Sequence, residues 1–462
     1  MRSGGQGFDL QQPPRRWFGT DGIRGVANVD LTPELALVAG RSVAEVLALR
    51  SESGAGGVRS GIRLLVGRDT RRSGPMLEAA LAAGVASAGG AAVLAGVLPT
   101  PGVSRLVTAG EFQGGVVISA SHNPFRDNGI KLFGPDGRKL PDSVELEVEA
   151  RMQGEHSGTD EVGSVEALTA AVPTYVEDLV GSLAVDLTGL RVLLDCAHGA
   201  TYQAAPLAFT MAGAVTETVC VEPDGENINA ACGSTDLAYL ASRVAQGDYD
   251  LGLAFDGDGD RVLAVDRAGR VVDGDQIMAV LALWLHERGR LARGTVVVTS
   301  MSNLGFHRAM REHGLTVEIT DVGDRYVLER MEQVGAVLGG EQSGHVIYLD
   351  AGATGDGLQT ALLLGNVLRE SQRSLAELAR VVHHFPQLLL NVRVRDKGKL
   401  GGAAALWEAV AAEQAALAEE GRIVLRPSGT EPLVRIMVEA PTEERCREVA
   451  ERLAGVVERS LG

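Results

Sequence analysis

The sequence predicts an α/β protein: three similar α/β domains in tandem, followed by a smaller C-terminal α+β domain. Two observations carry this. Three apolar runs, Leu64-Leu65-Val66, Val192-Leu193-Leu194 and Val296-Val297-Val298, each end in a small polar loop and give way to helical pattern, as a repeated strand–helix unit does. After His384 the order becomes strand, long helix, two strands and helix, which is an antiparallel α+β order. A chain of 462 residues can bury several separate cores.

Taken in order, Met1 to Pro14 is polar, bears glycine and proline and lacks an apolar run. Residues 1–15 are therefore expected to be a disordered tail and not a signal peptide. The first α/β domain is expected over 16–170. Within it, Ala79 to Leu98 is uncharged and about long enough to cross a bilayer. It is rich in alanine and glycine, breaks at Gly89-Gly90 and ends in Pro99-Thr100-Pro101, so it is expected as a helix from near Met76, a turn, and a strand from Ala91. A helix from Pro173 to Leu183 opens the second domain, 171–272, and the third spans 273–384. The last domain, 385–462, is expected to hold strands at 388–394, 423–425 and 433–438 and helices at 403–419 and 443–460. Gly421 is placed to cap the first of these helices, and Thr442 to open the second above the acidic pair Glu443-Glu444.

The 43 basic and 60 acidic side chains leave a formal charge of −17, which argues against nucleic acid and an anionic membrane surface as partners. Four cysteines, at 196, 220, 232 and 446, have no close pair and no metal spacing, and read as reduced buried thiols of a cytoplasmic protein.

Four short stretches carry chemistry. In Ile118-Ser119-Ala120-Ser121-His122-Asn123-Pro124, Ser121 sits where an apolar strand meets a turn signal, at the carboxyl end where open α/β sheets place ligands. By itself the serine could merely bond its own turn. Asp256-Gly257-Asp258-Gly259-Asp260-Arg261 alternates carboxylates with glycines between two strands, so the backbone can curl until Asp256, Asp258 and Asp260 converge. Like charges that converge need a cation, and hard oxygen ligands suit magnesium. An EF-hand is excluded, because its sixth and twelfth positions would be Arg261 and Arg267. Gly340-Glu341-Gln342-Ser343-Gly344-His345 offers the donors and acceptors a sugar needs, chiefly at Glu341 and Ser343. Arg426-Pro427-Ser428-Gly429-Thr430, with Arg435 beyond it, combines guanidinium, hydroxyl and glycine as an anion-binding loop does.

Together with Phe18-Gly19-Thr20-Asp21-Gly22-Ile23-Arg24-Gly25, these stretches resemble the α-D-phosphohexomutase superfamily along nearly the whole chain. The resemblance implies that Ser121 carries the transferred phosphoryl group, that the three aspartates and Ser121 hold one Mg2+, that Glu341 and Ser343 hold the sugar, and that Arg426, Ser428, Gly429, Thr430 and Arg435 hold the substrate's phosphate. Gln342, the run Val322 to Val327, and Asn227-Ile228-Asn229 with Cys232 to Thr235 resemble the branch that works on glucosamine phosphates. The sister phosphomannomutase and phosphoglucomutase branch more often has methionine where Gln342 stands. Asp236 departs from the histidine usual there, which leaves the role of that position open.

The expected reaction moves a phosphoryl group from Ser121 to O1 of glucosamine 6-phosphate, through glucosamine 1,6-bisphosphate, to give glucosamine 1-phosphate for amino-sugar nucleotide and cell-wall precursor synthesis. Arg24 belongs to the expected catalytic set. For proton transfer Lys131 comes first and His345 next, because lysine is rare here (131, 139, 397, 399) and burial lowers its pKa. His122 is expected to orient or contact phosphate and not to act as the base on Ser121, since neighbours on an extended chain point to opposite faces. The C-terminal domain is expected to close over substrate, and the protein to be a monomer or homodimer. Three other readings stay open: a phosphomannomutase/phosphoglucomutase of the same superfamily, a haloacid-dehalogenase-type phosphatase using Asp256 as nucleophile, and a non-catalytic sugar-phosphate-binding protein.

Overall fold

The structure, a computed structural model, describes residues 16–19, 21–52, 61–154, 160–428 and 432–462. Its strands form four sheets in chain order. The first contains β1 (Phe18–Gly19), β2 (Gly22–Val26), β3 (Arg63–Arg68), β4 (Ala91–Val97), β5 (Gly114–Ile118), β6 (Asp127–Phe133) and β7 (Ser164–Ala167). The second contains β8 (Arg191–Asp195), β9 (Val215–Val219), β10 (Leu251–Phe255), β11 (Val262–Asp266) and β12 (Val271–Val272). The third has β13 (Thr295–Thr299), β14 (Thr316–Thr320), β15 (Leu338–Gly340) and β16 (Val346–Tyr348), and the fourth β17 (Gln387–Arg393), β18 (Arg422–Pro427) and β19 (Leu433–Glu439).

One unit recurs in the first three sheets. Its opening strand, β3, β8 or β13, lies between two parallel neighbours: β4, β9 or β14 on one side and β5, β10 or β15 on the other. The next strand, β6, β11 or β16, returns antiparallel to the latter. The opening strands are the three apolar runs of the sequence, and they are buried because helices cover both faces of a parallel sheet. The fourth sheet, ordered β17-β19-β18, is antiparallel throughout.

The uncharged stretch 79–98 divides as expected, into helix Gly74–Ser87 and strand β4, because glycine at 89 takes a left-handed turn at φ 82° between them. Among the described residues no helix is long and apolar enough to cross a membrane. Thr442 caps helix Glu443–Leu461 by accepting from the Arg445 N–H at 3.2 Å. Gly421 does not act as a cap: helix Ala404–Leu417 ends earlier, at Ala418 with φ 49°, and Gly421 is extended after a short 3-10 turn.

One continuous apolar core joins the first three sheets and their helices, running from Leu65 and Val103 through Leu194 and Phe255 to Val298 and Leu362. The fourth sheet packs on helix Glu443–Leu461 as a core of its own. It is tied to the third unit by polar contacts. Arg422 pairs with buried Glu439 at 3.1 Å and donates to the Ser302 carbonyl at 2.6 Å, while Glu439 accepts from the Leu304 N–H at 3.0 Å.

Candidate active site

The three α/β motifs occupy the same place in the repeated unit, the loop between its third strand and the antiparallel return. Ser121 lies between β5 and β6, the aspartates between β10 and β11, and Glu341 to His345 between β15 and β16. Their helix-free connections converge at the carboxyl ends of the parallel strands.

Ser121 is 2% exposed and takes a left-handed backbone at φ 51°, an uncommon conformation for a non-glycine residue. The strain is held from several sides. Its N–H donates to Ser119 Oγ at 2.9 Å, and Ser119 donates to Asp69 at 2.6 Å. Its carbonyl accepts from Arg71 at 2.8 Å and from Asn229 at 2.9 Å. Arg71, fully buried, also pairs with Asp69 at 2.8 Å and donates to the carbonyls of Asn123, Pro124 and Asp127. The nucleophile loop is thus wrapped around one guanidinium. Ser121 Oγ donates to Asp256 Oδ2 at 2.6 Å. Because of the positive φ, His122 does not point to the opposite face as an extended chain would require: its Nδ1 lies 3.5 Å from Ser121 Oγ. Burial, then the cations Arg261 and Arg24, push the His122 pKa down.

Asp256, Asp258 and Asp260 are buried, with oxygens that all lie within 4.8 Å of one another. Glycine is needed here: a Cβ at Gly257 would fall 2.5 Å from the Ser121 carbonyl, and Gly259 has φ 75°. Burial and the two neighbouring carboxylates hold Asp256 well above the usual range. Asp258 and Asp260 are lowered despite burial, Asp258 by Lys131 and Thr100, Asp260 by His345 and Lys131. Asp258 Oδ1 and Asp260 Oδ1 are buried without a hydrogen-bond partner. Two orphaned carboxylate oxygens facing a third acid fit a hard divalent cation, the donor set that magnesium takes.

Lys131 is 1% exposed and donates to Asp258 at 2.9 Å, with Asp21 at 3.4 Å and Asp260 at 3.9 Å. Burial by itself would lower its pKa as the sequence led us to expect, but these carboxylates outweigh it and hold the ammonium protonated. His345 is raised in the same way, with burial opposed by Asp260 at 3.5 Å and Asp324 at 3.8 Å. Asp324 in turn pairs with Lys139 at 2.6 Å, and Lys139 and Arg24 both pair with Asp21. Arg24 also donates to the Ala120 carbonyl at 3.0 Å, next to the nucleophile. This single network of alternating charge joins all three α/β units.

On the third loop, Glu341 faces the cations Arg261 and Arg426, and Ser343 is exposed. Gln342 turns away: its amide donates to Asp273 Oδ2 at 3.1 Å, so it anchors the loop to the N-terminus of helix Gly274–Glu287. Arg426 and Arg435 are cross-strand partners on β18 and β19, and the Nε of each is buried without a hydrogen-bond partner. Burial and Arg435 lower the Arg426 pKa. Ser428 is buried beside them, while Gly429 and Thr430 lie outside the described residues.

Sequence reasoning missed Arg71, Lys139 and Thr100, and assigned no role to Asp21 or Arg261, which stood in quoted runs. Asp324 and Asn229 stood in quoted runs without an assigned contact. Thr100 follows Pro99 at a helix start and donates to Asp258 at 2.6 Å. None of these has a local signal, since each acts on a loop distant in sequence.

Known proteins bear this likeness out. Four descriptions of phosphoglucomutase/phosphomannomutase domains match in order: alpha/beta/alpha domain I at residues 15–159, domain II at 173–269, domain III at 273–385 and the C-terminal domain at 389–456. A phosphoglucosamine mutase of Pelotomaculum thermopropionicum is 51% identical over 95% of this chain and 98% of its own. That of Saccharopolyspora erythraea is 52% identical over 96% and 99%. Among solved structures, a phosphoglucomutase/phosphomannomutase family protein of Burkholderia thailandensis superposes with a TM-score of 0.79 at 24% identity, covering 96% of this chain and 97% of that one. An Aspergillus fumigatus N-acetylphosphoglucosamine mutase, solved with GlcNAc-6P and magnesium, has a TM-score of 0.70 at 17% identity, covering 97% and 96%. These two structures speak for the shared fold, and the identity to the mutases speaks for the branch. The chain belongs to the phosphoglucosamine mutases of the phosphoglucomutase/phosphomannomutase family.

Proposed function

We propose that this chain interconverts glucosamine 6-phosphate and glucosamine 1-phosphate through a phosphoserine at Ser121 and a 1,6-bisphosphate intermediate. The observation that carries it is the buried Ser121 Oγ, 2.6 Å from Asp256 within a triad that has two orphaned acid oxygens. Asp256, Asp258, Asp260 and the Ser121 oxygen would hold magnesium, whose charge when bound would offset that of the phosphoryl group.

In the forward half-reaction the Ser121 O–P bond breaks and a bond from phosphorus to the sugar O1 forms, with the O1 proton passing, in net, to the serine oxygen. Lys131, kept protonated by its carboxylates, is the proton donor to that oxygen and, by microscopic reversibility, the acceptor in the return step. His345 holds its imidazole between Asp260 and Asp324, where it can serve a sugar hydroxyl. Arg24 steadies the Ala120 carbonyl and adds positive charge beside the nucleophile.

The bisphosphate must turn over so that its 6-phosphate returns to Ser121. One anion pocket, Arg426 and Arg435 with the loop from Ser428 to Thr430, then accepts either end of the sugar, while Glu341 and Ser343 bind ring hydroxyls common to both poses. The C-terminal domain, attached by polar contacts and not by the shared core, is suited to close over substrate and exclude water.

The test is kcat/KM, with magnesium and a trace of bisphosphate, for glucosamine, glucose and mannose 6-phosphates, with Ser121→Ala as control. A preference of about a hundredfold for the amino sugar, roughly 2.7 kcal/mol in transition-state binding, is expected, with no turnover by Ser121→Ala. Equal rates with the other sugars would discard the substrate assignment, and turnover by Ser121→Ala would discard the phosphoserine.

A further inference from the structure

Outside the candidate active site, the fold gathers three ligands of another kind. An imidazole nitrogen of His198 and the thiol sulfurs of Cys220 and Cys232 all lie within 4.8 Å of one another. Sequence spacing hides this cluster, because the two cysteines are separated by a turn-rich segment and the histidine lies just past another strand's end. The assembly is topological. β8 and β9 are parallel neighbours with Asp195 opposite Val219, so the residues just past their carboxyl ends meet, and Cys232 enters from the loop above them.

We infer that His198, Cys220 and Cys232 form a second metal site, for a thiophilic divalent cation of the zinc class. Nitrogen and sulfur donors select such an ion over magnesium. Tetrahedral zinc has Zn–S near 2.3 Å and Zn–N near 2.0–2.1 Å, so the three atoms need draw together by only about 1 Å. The Asp195 carboxylate, hydrogen-bonded to the Cys220 thiol, stands next to the site as a fourth ligand or a support for one. Cys232 is 1% exposed, while Cys220 and His198 are half-buried and give the ion a path from solvent.

The backbone supports the assignment independently. Ala197, His198 and Cys220 all lie in the left-handed region, at φ 53°, 48° and 55°, although none is glycine. Residues held in that region concentrate at ligand-binding and switch sites. Coordination would release two thiol protons, 2 RSH + M2+ giving M(SR)2 + 2 H+. It would also displace the 3.2 Å bond that His198 Nδ1 accepts from the Glu222 N–H, because that lone pair must either bind the metal or take up a proton.

The position gives occupancy a consequence. The Asn229 N–H donates to the Ala197 carbonyl at 2.9 Å, and its side chain donates to the Ser121 carbonyl at 2.9 Å. A metal joining residues 198, 220 and 232 would fix the segment from which Asn229 holds the nucleophile loop, so binding and turnover would be coupled.

The experiment uses the full chain, reduced, stripped by a chelator and titrated with Co2+ in excess Mg2+, so that the oxygen site is filled by the hard ion. One equivalent of Co2+ with sulfur-to-cobalt charge-transfer absorption, displaced by Zn2+, is expected. The band is expected to vanish in Cys220→Ser and Cys232→Ser and to persist in Asp258→Asn. If the serine variants fail to fold, His198→Gln carries the test, with Co2+ affinity expected to fall about tenfold or more. Three results would overturn the site: no band in the wild type, a band and affinity unchanged by Cys220→Ser or His198→Gln, or two thiols missing before reduction with no metal bound, which would mark a disulfide.

Discussion

Arginine is used in opposite ways at two ends of this molecule. Arg71 is completely buried in the first unit, and each of its nitrogens donates to Asp69 or to a carbonyl of the nucleophile loop. Arg426 and Arg435 face each other across β18 and β19, each with a partnerless Nε, and among the described residues no carboxylate forms an ion pair with either. A guanidinium whose hydrogen bonds are all made within the protein is part of the structure. A pair of like charges on directly opposed strand positions destabilises the sheet and is tolerable where an anion arrives to bridge it.

The comparison breaks most decisively at Arg71. Arg71→Ala takes the cation from buried Asp69 and the donors from the nucleophile-loop carbonyls, and should cost roughly 3–5 kcal/mol, read as a large drop in the urea midpoint with activity lost. Magnesium acts next. It relieves the repulsion among Asp256, Asp258 and Asp260, so at a hundredfold excess over its Kd it should add about 2.7 kcal/mol of stability that a chelator removes; an unchanged melting temperature would deny the triad its ion. Arg435→Ala should do the reverse of Arg71→Ala. It relieves a like-charge pair, so stability stays within about 0.5 kcal/mol, while loss of a charged hydrogen bond to phosphate costs about 1.5–3 kcal/mol in kcat/KM. An Arg435→Ala protein as unstable as Arg71→Ala would erase the distinction. Asn229→Ala lies between them: Arg71 still holds the Ser121 carbonyl, so about 1 kcal/mol is lost, with the loss in kcat and not in KM.

The same contrast explains what is legible in the sequence alone. Ser121, the three aspartates and the C-terminal loop are each visible because their chemistry is concentrated within a few residues, and the α/β order is visible because buried parallel strands are continuous apolar runs. Arg71 lies fifty positions from the serine it braces, and Lys139 meets Asp324 across 185 positions. Those contacts exist only because the units place their third-strand loops together. The Lys131 pKa was misjudged for a related reason: burial is legible from apolar neighbours in sequence, but the three carboxylates that outweigh it come from two units. The alternation of faces expected at His122 fails because one left-handed residue, Ser121, reverses the pattern of an extended chain.

The smallest wild-type response is expected where the C-terminal domain is held, through Arg422, whose charge is answered by Glu439. His307 lies 3.4 Å from Arg422, and burial, reinforced by that guanidinium, lowers its pKa to about 4. In the folded state it therefore stays neutral where the unfolded chain would bind a proton, so its contribution is complete above the ordinary 6.5 and is lost as pH falls toward 4. Asp275, which accepts from the Asn303 N–H at 2.7 Å in the same region, runs the other way: burial and then Asp273 raise it to about 7. Its folded form keeps a proton that the unfolded chain gives up, so its contribution is complete below the ordinary 3.8 and is lost as pH rises through about 7. Between these limits the two slopes oppose each other, and the wild-type urea midpoint should vary little. Single variants separate them. Asp275→Asn, which keeps the neutral shape, should remove the loss on the alkaline side and leave a midpoint that falls on acidification. His307→Gln should remove the acid-side loss and leave a midpoint that falls as pH rises. Parallel pH profiles for wild type and both variants would show that neither group titrates with folding, and that the junction is held by the Arg422–Glu439 pair without help from the groups around it.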